Sequence, residues 1–197
     1  MDFMSGEVLQ IKTSYFSTKP RFITRFFSSF NPDVIKSVDL YKGSIPAHYG
    51  GRISSVLDVQ AKDGNNKKFS GSGGISPVTA RITLEGPIIK DKASFIAGYR
   101  STYSDWLLKQ LPNASLNNSS ASFYDLFGKI SFDLNENNSI YAGGYYSKDG
   151  FSFNSDTLYG YTNASATFQW KHIYNNKIYS VLSGVYSDYS YNISNEK

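Results

Sequence analysis

The side chains that could do chemistry in this sequence are few and scattered. Two histidines, His48 and His172, have neither a carboxylate nor a second histidine at the spacing that a metal site or a general base requires. The chain contains no cysteine, which excludes disulfides, thiolate metal sites and thiol nucleophiles. No Gly-x-Ser-x-Gly sequence offers a nucleophile elbow for the many serines. We therefore expect no enzyme activity, no bound metal and no cofactor.

Two short motifs are similar to ligand-binding loops but do not meet their requirements. The Asp-x-Asn-x-Asn sequence at 133–137 opens like a calcium loop, but its sixth position is Asn138 instead of glycine and its twelfth is Gly144 instead of glutamate. The glycine-rich sequence at 71–74 is too short for a dinucleotide fingerprint. We expect a hairpin turn at the first motif and a strand lined by small residues at the second.

The composition excludes several classes of protein. The 197 residues carry a formal charge of +4 with only 18% charged residues, and the longest basic run is Lys67-Lys68, so we expect no nucleic-acid partner. Charges, glycine or proline interrupt each apolar run, so the sequence offers no transmembrane helix. No signal peptide is visible in the first residues, and we expect either a cytoplasmic protein or a chain whose beginning lies upstream.

Residues 1–62 predict a small α+β segment. The sequence Asn31-Pro32-Asp33 combines a capping side chain, a proline suited to the first helical position and an acidic residue for the positive end of the helix dipole. A short helical turn should therefore begin there. Residues 37–41 alternate as a strand does, and residues 53–59 predict a second strand after a glycine pair.

From Lys67 onward, apolar and polar residues alternate with a period of two, which is the pattern of half-buried strands. Phe127 is an exception, because it lies on the polar parity of its segment. The clearest segments are 78–85, 94–103, 124–134 and 164–171. Less regular, glycine- and tyrosine-rich segments are 69–76, 139–147 and 178–187. Together they predict about seven strands.

The connections between these strands alternate between short and long. Short turns are expected at 87–91, 135–138 and 175–176, and longer polar stretches lie at 104–121 and 149–159. An up-and-down meander of strands of about 9–11 residues, with its short turns at one end, is typical of a transmembrane β-barrel. A soluble antiparallel sandwich or lipocalin-like barrel predicts the same alternation, so both folds remain open at this point.

Aromatic residues make up 16% of the chain, and several near predicted strand ends suit the interfacial belts of a membrane barrel. These residues are Tyr103, Trp106, Tyr141, Tyr159, Tyr161 and Trp170. Cross-strand aromatic pairs in a soluble sheet account for them almost as well. In a soluble β-rich adhesin or carbohydrate-binding module, Trp106 and Tyr159 would stack on sugars.

Charged residues could form a lining against a packed partner, and an ordinary solvated face is the alternative. They are Lys42 and Arg52 in the first region and Arg81, Glu85, Arg100, Asp125 and Lys129 on the predicted strands.

Residues 26–43 and 45–59 closely resemble the C-terminal half of the plug domain of TonB-dependent outer-membrane receptors. The positions that carry this resemblance are Asn31, Pro32, Asp33, Tyr41, Lys42, Gly43, Pro46, Tyr49, Gly50, Gly51 and Arg52. Residues 84–88 and 94–103 resemble the first barrel strands of the same family, especially of members with an N-terminal carboxypeptidase-regulatory-like domain. The positions concerned are Glu85, Gly86, Pro87, Arg100 and Tyr103.

The resemblance covers about residues 22–190, whereas residues 1–21 match poorly. It implies that residues 1–62 are the C-terminal part of a plug and residues 63–197 the first strands of a barrel of about 22 strands. The fold is then mainly β, a partial α+β plug followed by about seven antiparallel up-and-down strands of an incomplete transmembrane β-barrel. Lys42 stands where many members have an arginine that pairs with barrel carboxylates, so bidentate pairing is lost here.

The same resemblance implies a location and a set of partners. The parent receptor would lie in the outer membrane and import a scarce ligand, such as a metal chelate, vitamin, glycan or peptide, with energy relayed by TonB. Its TonB box would precede residue 1, and about fifteen strands would follow residue 197. Because an open sheet leaves two edges unpaired in lipid, we expect this chain alone neither to insert stably nor to transport.

Overall fold

In the computed structural model, the described residues are 31–41, 56–103, 109–110, 119–152 and 157–195. They belong to two compact units, Met1–Lys62 and Asp63–Lys197. The described residues are mainly β, and their strands pair antiparallel in two sheets. Within these ranges, no helix has the length and apolar character needed to span a membrane.

The described part of the first unit begins with a helical turn. Pro32–Val34 forms a single 3₁₀ turn, and Asn31 caps it because its Oδ1 accepts a hydrogen bond from the Asp33 amide at 3.1 Å. The turn confirms the prediction from the Asn-Pro-Asp sequence. It does not continue as an α-helix, since the β-branched residues Val34 and Ile35 favour the extended backbone that follows.

A two-stranded sheet completes this part of the first unit. Strand β1 (Ile35–Tyr41) pairs antiparallel with strand β2 (Val56–Ala61), and Val59 is buried. Both predicted strands are therefore present. In the part of this unit that the structure describes, the only helical element is the 3₁₀ turn, and most of residues 1–62 lie outside it, so the α+β prediction for the whole segment stays a prediction.

The second unit is one antiparallel sheet of seven strands, in which each strand pairs with the next along the chain. This order confirms the predicted seven-stranded meander. The strands are β3 (Ser70–Ile75), β4 (Thr79–Ile89), β5 (Ala93–Thr102), β6 (Ser120–Asn135), β7 (Asn138–Ser152), β8 (Thr157–Asn175) and β9 (Ile178–Asn195).

Strands β6 to β9 are longer than the predicted 9–11 residues. They contain 16, 15, 19 and 18 residues. Parts of the segments expected to be loops belong to these strands, because the register continues through Ser120 opposite Ser152 and Phe151 opposite Tyr159. A strand can extend by backbone pairing with its neighbour where its side chains do not alternate. The alternation of apolar and polar residues therefore underestimates the length of these strands.

The short turns join β4 to β5, β6 to β7 and β8 to β9. Strand β4 continues through Pro87, so the turn predicted at 87–91 is shorter and lies at 90–92. Pro87 lies beside a register shift, where a missing N–H is tolerated. In the other two turns, Asn135 Oδ1 accepts the Asn137 amide at 3.0 Å and Asn175 Oδ1 accepts the Lys177 amide at 2.9 Å. The motif at 133–137 therefore belongs to a hairpin turn, as predicted.

At two glycines of the second unit, we expect substitution by alanine to have opposite effects on stability. A Cβ at Gly64 would lie 2.0 Å from the Phe95 carbonyl oxygen, whereas a Cβ at Gly128 would meet no atom of the described residues within 4 Å. We expect Gly64→Ala to lower the free energy of unfolding by about 1–3 kcal/mol, because the backbone must shift. Gly128→Ala should raise it by about 0.4–1 kcal/mol through the unfolded state. Denaturant titration of both variants measures the difference, and equal effects would contradict the packing at Gly64.

Candidate functional site

The seven-stranded sheet has two faces of opposite chemistry. Because side chains alternate along a strand, the pairing register assigns each residue of the sheet to one face. We call the face that contains Leu126 the apolar face, and the face that contains Asp125 the polar face. The two residues are neighbours on β6 and point to opposite sides.

The apolar face is exposed. Leu126 and Ile130 are 52% and 50% exposed although both lie on β6, which has a paired strand on each side. Large exposed side chains of this face also come from the other strands from β4 to β9, and they include Ile82, Leu84, Tyr99, Tyr146, Phe168, Trp170, Leu182 and Tyr186. Contiguous apolar patches of this kind are rare on soluble monomers and mark surfaces that contact a partner or a membrane.

The polar face is buried around β5 and β6. Its buried polar side chains include Thr83, Ser94, Arg100, Thr102, Asp125, Lys129, Ser147 and Gln169. Phe127, the exception to the alternation, lies on this face and is buried together with Ile96. In a soluble sheet with one solvated face, the buried face is the apolar one. The distribution in this sheet is the reverse.

Arg100 and Asp125 form an ion pair in the polar face. They lie opposite each other on β5 and β6. Arg100 Nε donates to Asp125 Oδ2 at 2.6 Å, and Arg100 Nη2 lies 2.5 Å from the same oxygen. The Arg100 guanidinium also lies 4.9 Å from the centre of the Phe123 ring. The exposed fraction of Asp125 is only 2%, so the pair compensates charges that water does not reach.

Lys129 connects several strands near the short turns. Its Nζ lies 2.8 Å from Asp63 Oδ1 and 4.8 Å from the centre of the Tyr141 ring. Ser131 Oγ donates to the same Asp63 oxygen at 2.9 Å. The Tyr141 hydroxyl in turn donates to Gln169 Oε1. This network joins the segment before β3 to strands β6, β7 and β8.

The charged residues singled out in the sequence therefore separate into three groups. Arg100, Asp125 and Lys129 are buried in the polar face, so the alternative of an ordinary solvated face is wrong for them. On the same face, Arg81 is exposed and Glu85 is half-buried. Lys42 and Arg52 lie outside the described residues.

An aromatic cluster lies on the apolar face near the turn between β6 and β7. Asn138 Oδ1 accepts a hydrogen bond from Trp170 Nε1 at 3.1 Å and lies 2.7 Å from His172 Nδ1. The His172 ring meets the Tyr174 ring edge to face at 4.4 Å. Asn138 Nδ2 donates to Asn135 Oδ1 at 2.9 Å, which fixes the amide. His172 is thus part of a surface cluster.

The aromatic residues singled out near the predicted strand ends do not share one face of the sheet. Trp170 lies on the apolar face of β8. Tyr103 follows β5, and its hydroxyl donates to the Ser76 carbonyl at 2.6 Å. Tyr141, Tyr159 and Tyr161 lie on the polar face. Tyr161 pairs instead with Tyr191 of β9 at 5.0 Å between ring centres. Trp106 lies outside the described residues.

The positions that carry the family resemblance are only partly described. Asn31, Pro32, Asp33 and Tyr41 belong to the capped turn and β1. The remaining positions of the resemblance to a plug domain lie outside the described residues; they are Lys42, Gly43, Pro46, Tyr49, Gly50, Gly51 and Arg52.

The positions that resemble the first barrel strands of the family, Glu85, Gly86, Pro87 and Arg100, lie on β4 and β5, and Tyr103 follows β5. Gly86 is covered by Phe69, because a Cβ there would lie 2.2 Å from Phe69 Cδ1. Arg100 enters the buried ion pair with Asp125. Among these positions, Gly86 is a packing position on the apolar face, and Arg100 is a buried charge on the polar face.

Several residues of the site, among them Asp63 and Asn138, were not singled out as site residues from the sequence. Asp63 contacts Ser131 across 68 positions of the chain, and no local pattern signals such a contact. The turn signal at 135–138 located Asn138 but not its aromatic partners. Among the described residues, no group of three or more histidine or acidic side chains could hold a metal ion. His48 lies outside them.

The site therefore consists of a face with the buried charges of Arg100, Asp125 and Lys129 and an exposed apolar face on the same sheet. Comparison of the sequence and the structure with protein-family models, with curated proteins and with solved structures gives no match.

Proposed function

We propose that this chain forms part of the plug and of the barrel wall of a TonB-dependent outer-membrane receptor, which takes up a scarce ligand. The reversed polarity of the seven-stranded sheet is the observation that carries the proposal. Its apolar face, with Leu126 at 52% exposure, suits contact with lipid, while the buried charges of its polar face suit the interior of a barrel.

The height of the apolar face agrees with a membrane. On β6, its apolar side chains extend from Tyr124 to Leu134, which is about 33 Å along the strand at about 3.3 Å per residue. With the strand tilt of about 40° that outer-membrane barrels have, this length gives a band about 25 Å tall. The band of such barrels has the same height.

The edges of the sheet are the second support. Within the described residues, β3 and β9 are the two edge strands, and β9 is 18 residues long. A long exposed edge is a liability that soluble proteins cover or shorten, whereas a closed barrel pairs it with a further strand. The resemblance to the family is a further support. Three of the positions that carry it have defined structural roles: Asn31 caps the 3₁₀ turn, Gly86 packs under Phe69 and Arg100 pairs with Asp125.

Adjacent tryptophans on opposite faces test the proposal. In a Trp106→Phe, Trp170→Phe background, Tyr146→Trp places an indole on the apolar face and Tyr145→Trp places one on the polar face of the same strand. We expect brominated detergent to quench the fluorescence of the first variant strongly and that of the second weakly. Far-UV circular dichroism confirms that both variants keep the β fold.

Equal quenching of the two indoles would overturn the membrane assignment. So would a folded monomer in buffer without detergent, which favours a soluble carbohydrate-binding or adhesin module. In that case Tyr159, on the polar face, becomes the residue to test for sugar stacking.

A further inference from the structure

The apolar face changes its character along strand β9. In the half of β9 that follows the turn, the large side chains of this face are Ile178, Leu182 and Tyr186, and all three are exposed. The next positions of the same face are polar and exposed; they are Asp188, Ser190, Asn192 and Ser194. The apolar character of this face of β9 therefore ends between Tyr186 and Asp188.

Strand β8 changes at the same level. Trp170 lies on the apolar face in the half of β8 next to the turn, and Ala164 lies on the same face directly opposite Asp188. From Ala164 towards the start of β8, the residues of this face are Ala164, Thr162, Gly160 and Leu158. Leu158 is the single large apolar side chain among these four. The loss of apolar character thus extends over two neighbouring strands.

The polar face changes in the opposite sense. In the half of β8 next to the turn it carries polar side chains such as Thr167 and Gln169. Beyond the level of Asp188, large aromatic or apolar side chains replace them on β8 and β9; they are Tyr159, Tyr161, Tyr189, Tyr191 and Ile193. Tyr191 and Ile193 are exposed. The two faces of this hairpin therefore exchange their chemistry at one level.

A shift of the strand register does not cause this exchange. The pairing of β8 with β9 continues without a register shift from Ile173 opposite Tyr179 to Thr157 opposite Asn195. A slip of one residue would turn the following side chains to the other face, but none interrupts this stretch. The side chains keep their faces, so the surroundings must differ between the two ends of the hairpin.

We propose, on the basis of the proposed membrane location, that residues 157–163 of β8 and 188–195 of β9 extend beyond the lipid into water. These residues are called the projection below. The projection begins at Asp188 because a carboxylate on the lipid-facing side is unfavourable in hydrocarbon. From Tyr186 to Asn195, β9 continues for about 30 Å at about 3.3 Å per residue, and a strand tilt of about 40° reduces this length to a height of about 23 Å.

The projection provides an interaction surface at the end of the sheet away from the short turns. Its outer surface is polar and suits contact with water. Its inner surface carries the rings of Tyr161 and Tyr191, whose centres lie 5.0 Å apart. Tyrosines of this kind combine an apolar ring with a polar hydroxyl, so the inner surface suits a dissolved partner that offers an apolar surface of its own.

Single cysteines test the projection, because the chain contains none. Ser190→Cys and Ser194→Cys lie on its outer surface. Gly184→Cys lies on the same face of β9 within the apolar part, where a Cβ would meet no atom of the described residues within 4 Å. The rate of labelling by a charged maleimide is measured on the detergent-folded chain and divided by the rate in urea. We expect this normalised rate to be at least about tenfold higher at the two serine positions than at Gly184→Cys.

The three rates distinguish the projection from the membrane assignment. Slow labelling at all three positions would agree with a membrane band and overturn the projection. Fast labelling at all three would overturn the membrane assignment and the projection with it. Far-UV circular dichroism checks the fold of each variant, and Leu182→Cys replaces Gly184→Cys if the latter does not fold.

A fourth cysteine tests the inner surface. Ile193→Cys lies on the polar face next to Ser194. If the inner surface is open to the solution, its normalised rate should equal that of Ser194→Cys. Slow labelling of Ile193→Cys together with fast labelling of Ser194→Cys would overturn the inner surface as a site for a dissolved partner.

Discussion

Replacement of Leu126 by arginine is expected to lower the free energy of unfolding of the detergent-folded chain by about 2–4 kcal/mol. Leu126 lies near the middle of the apolar band of β6 and is 52% exposed. If hydrocarbon surrounds this side chain, the guanidinium must be desolvated there or must draw water into the apolar layer. On a water-exposed face, the same substitution would change the free energy of unfolding by no more than about 0.5 kcal/mol.

Leu134→Arg is the matched control for this experiment. Leu134 lies on the same strand and face with a similar exposure of 47%, but next to the turn at the end of the band. Near the membrane–water interface an arginine costs only about 0–1 kcal/mol. Urea unfolding of both variants in the same detergent gives the comparison. Equal effects at the two positions would contradict a lipid-facing band.

The second large effect is expected at the polar face. Asp125→Ala removes the carboxylate that receives two guanidinium nitrogens of Arg100, so this buried cation loses the negative charge opposite it. Breaking a buried ion pair in this way destabilises a protein by about 3–5 kcal/mol. We therefore expect denaturant unfolding to show a loss of this size. Asp133→Ala, at an exposed position on the same strand, should change stability by less than about 0.5 kcal/mol.

A double variant distinguishes the lost pair from a lost contact of either residue alone. In Arg100→Met, Asp125→Leu, both charges are absent and the buried volume is filled by apolar groups, so the loss should be far smaller than the sum of the two single substitutions. Strict additivity of the two substitutions would show that the pair is not coupled, contrary to the 2.6 Å contact between Arg100 Nε and Asp125 Oδ2.

These two experiments probe opposite faces of β6 and can fail independently. Leu126→Arg tests what surrounds the sheet, whereas Asp125→Ala tests what the sheet buries. A small effect of Leu126→Arg together with a large effect of Asp125→Ala would support the buried ion pair and contradict the membrane assignment. A large effect of Leu126→Arg with a small effect of Asp125→Ala would support the membrane assignment and show that water reaches the polar face.

Several parts of the fold follow from local sequence. The period-two alternation located all seven strands of the large sheet, and the Asn-Pro-Asp sequence located the capped turn, because side-chain direction and capping are decided within a few residues. The asparagine-rich turns were predictable for the same reason. The alternation also placed Phe127 on the polar parity of β6, which is where the structure has it.

Other features depended on contacts between distant residues. The alternation defines two faces but does not say which one is buried, and only the structure shows Leu126 exposed and Asp125 buried. The strands β6 to β9 extend beyond the alternating segments because their backbones pair with neighbouring strands. The register of this pairing places Tyr141 and Tyr161 on the polar face.

The sequence by itself thus determined the strands, their turns and the division of residues between two faces, because each depends on residues close together in the chain. The tertiary structure decided the burial of the charges, the pairing of Arg100 with Asp125 and the contact of Asp63 with Lys129. Those depend on the register between strands, which brings together residues that no local pattern relates.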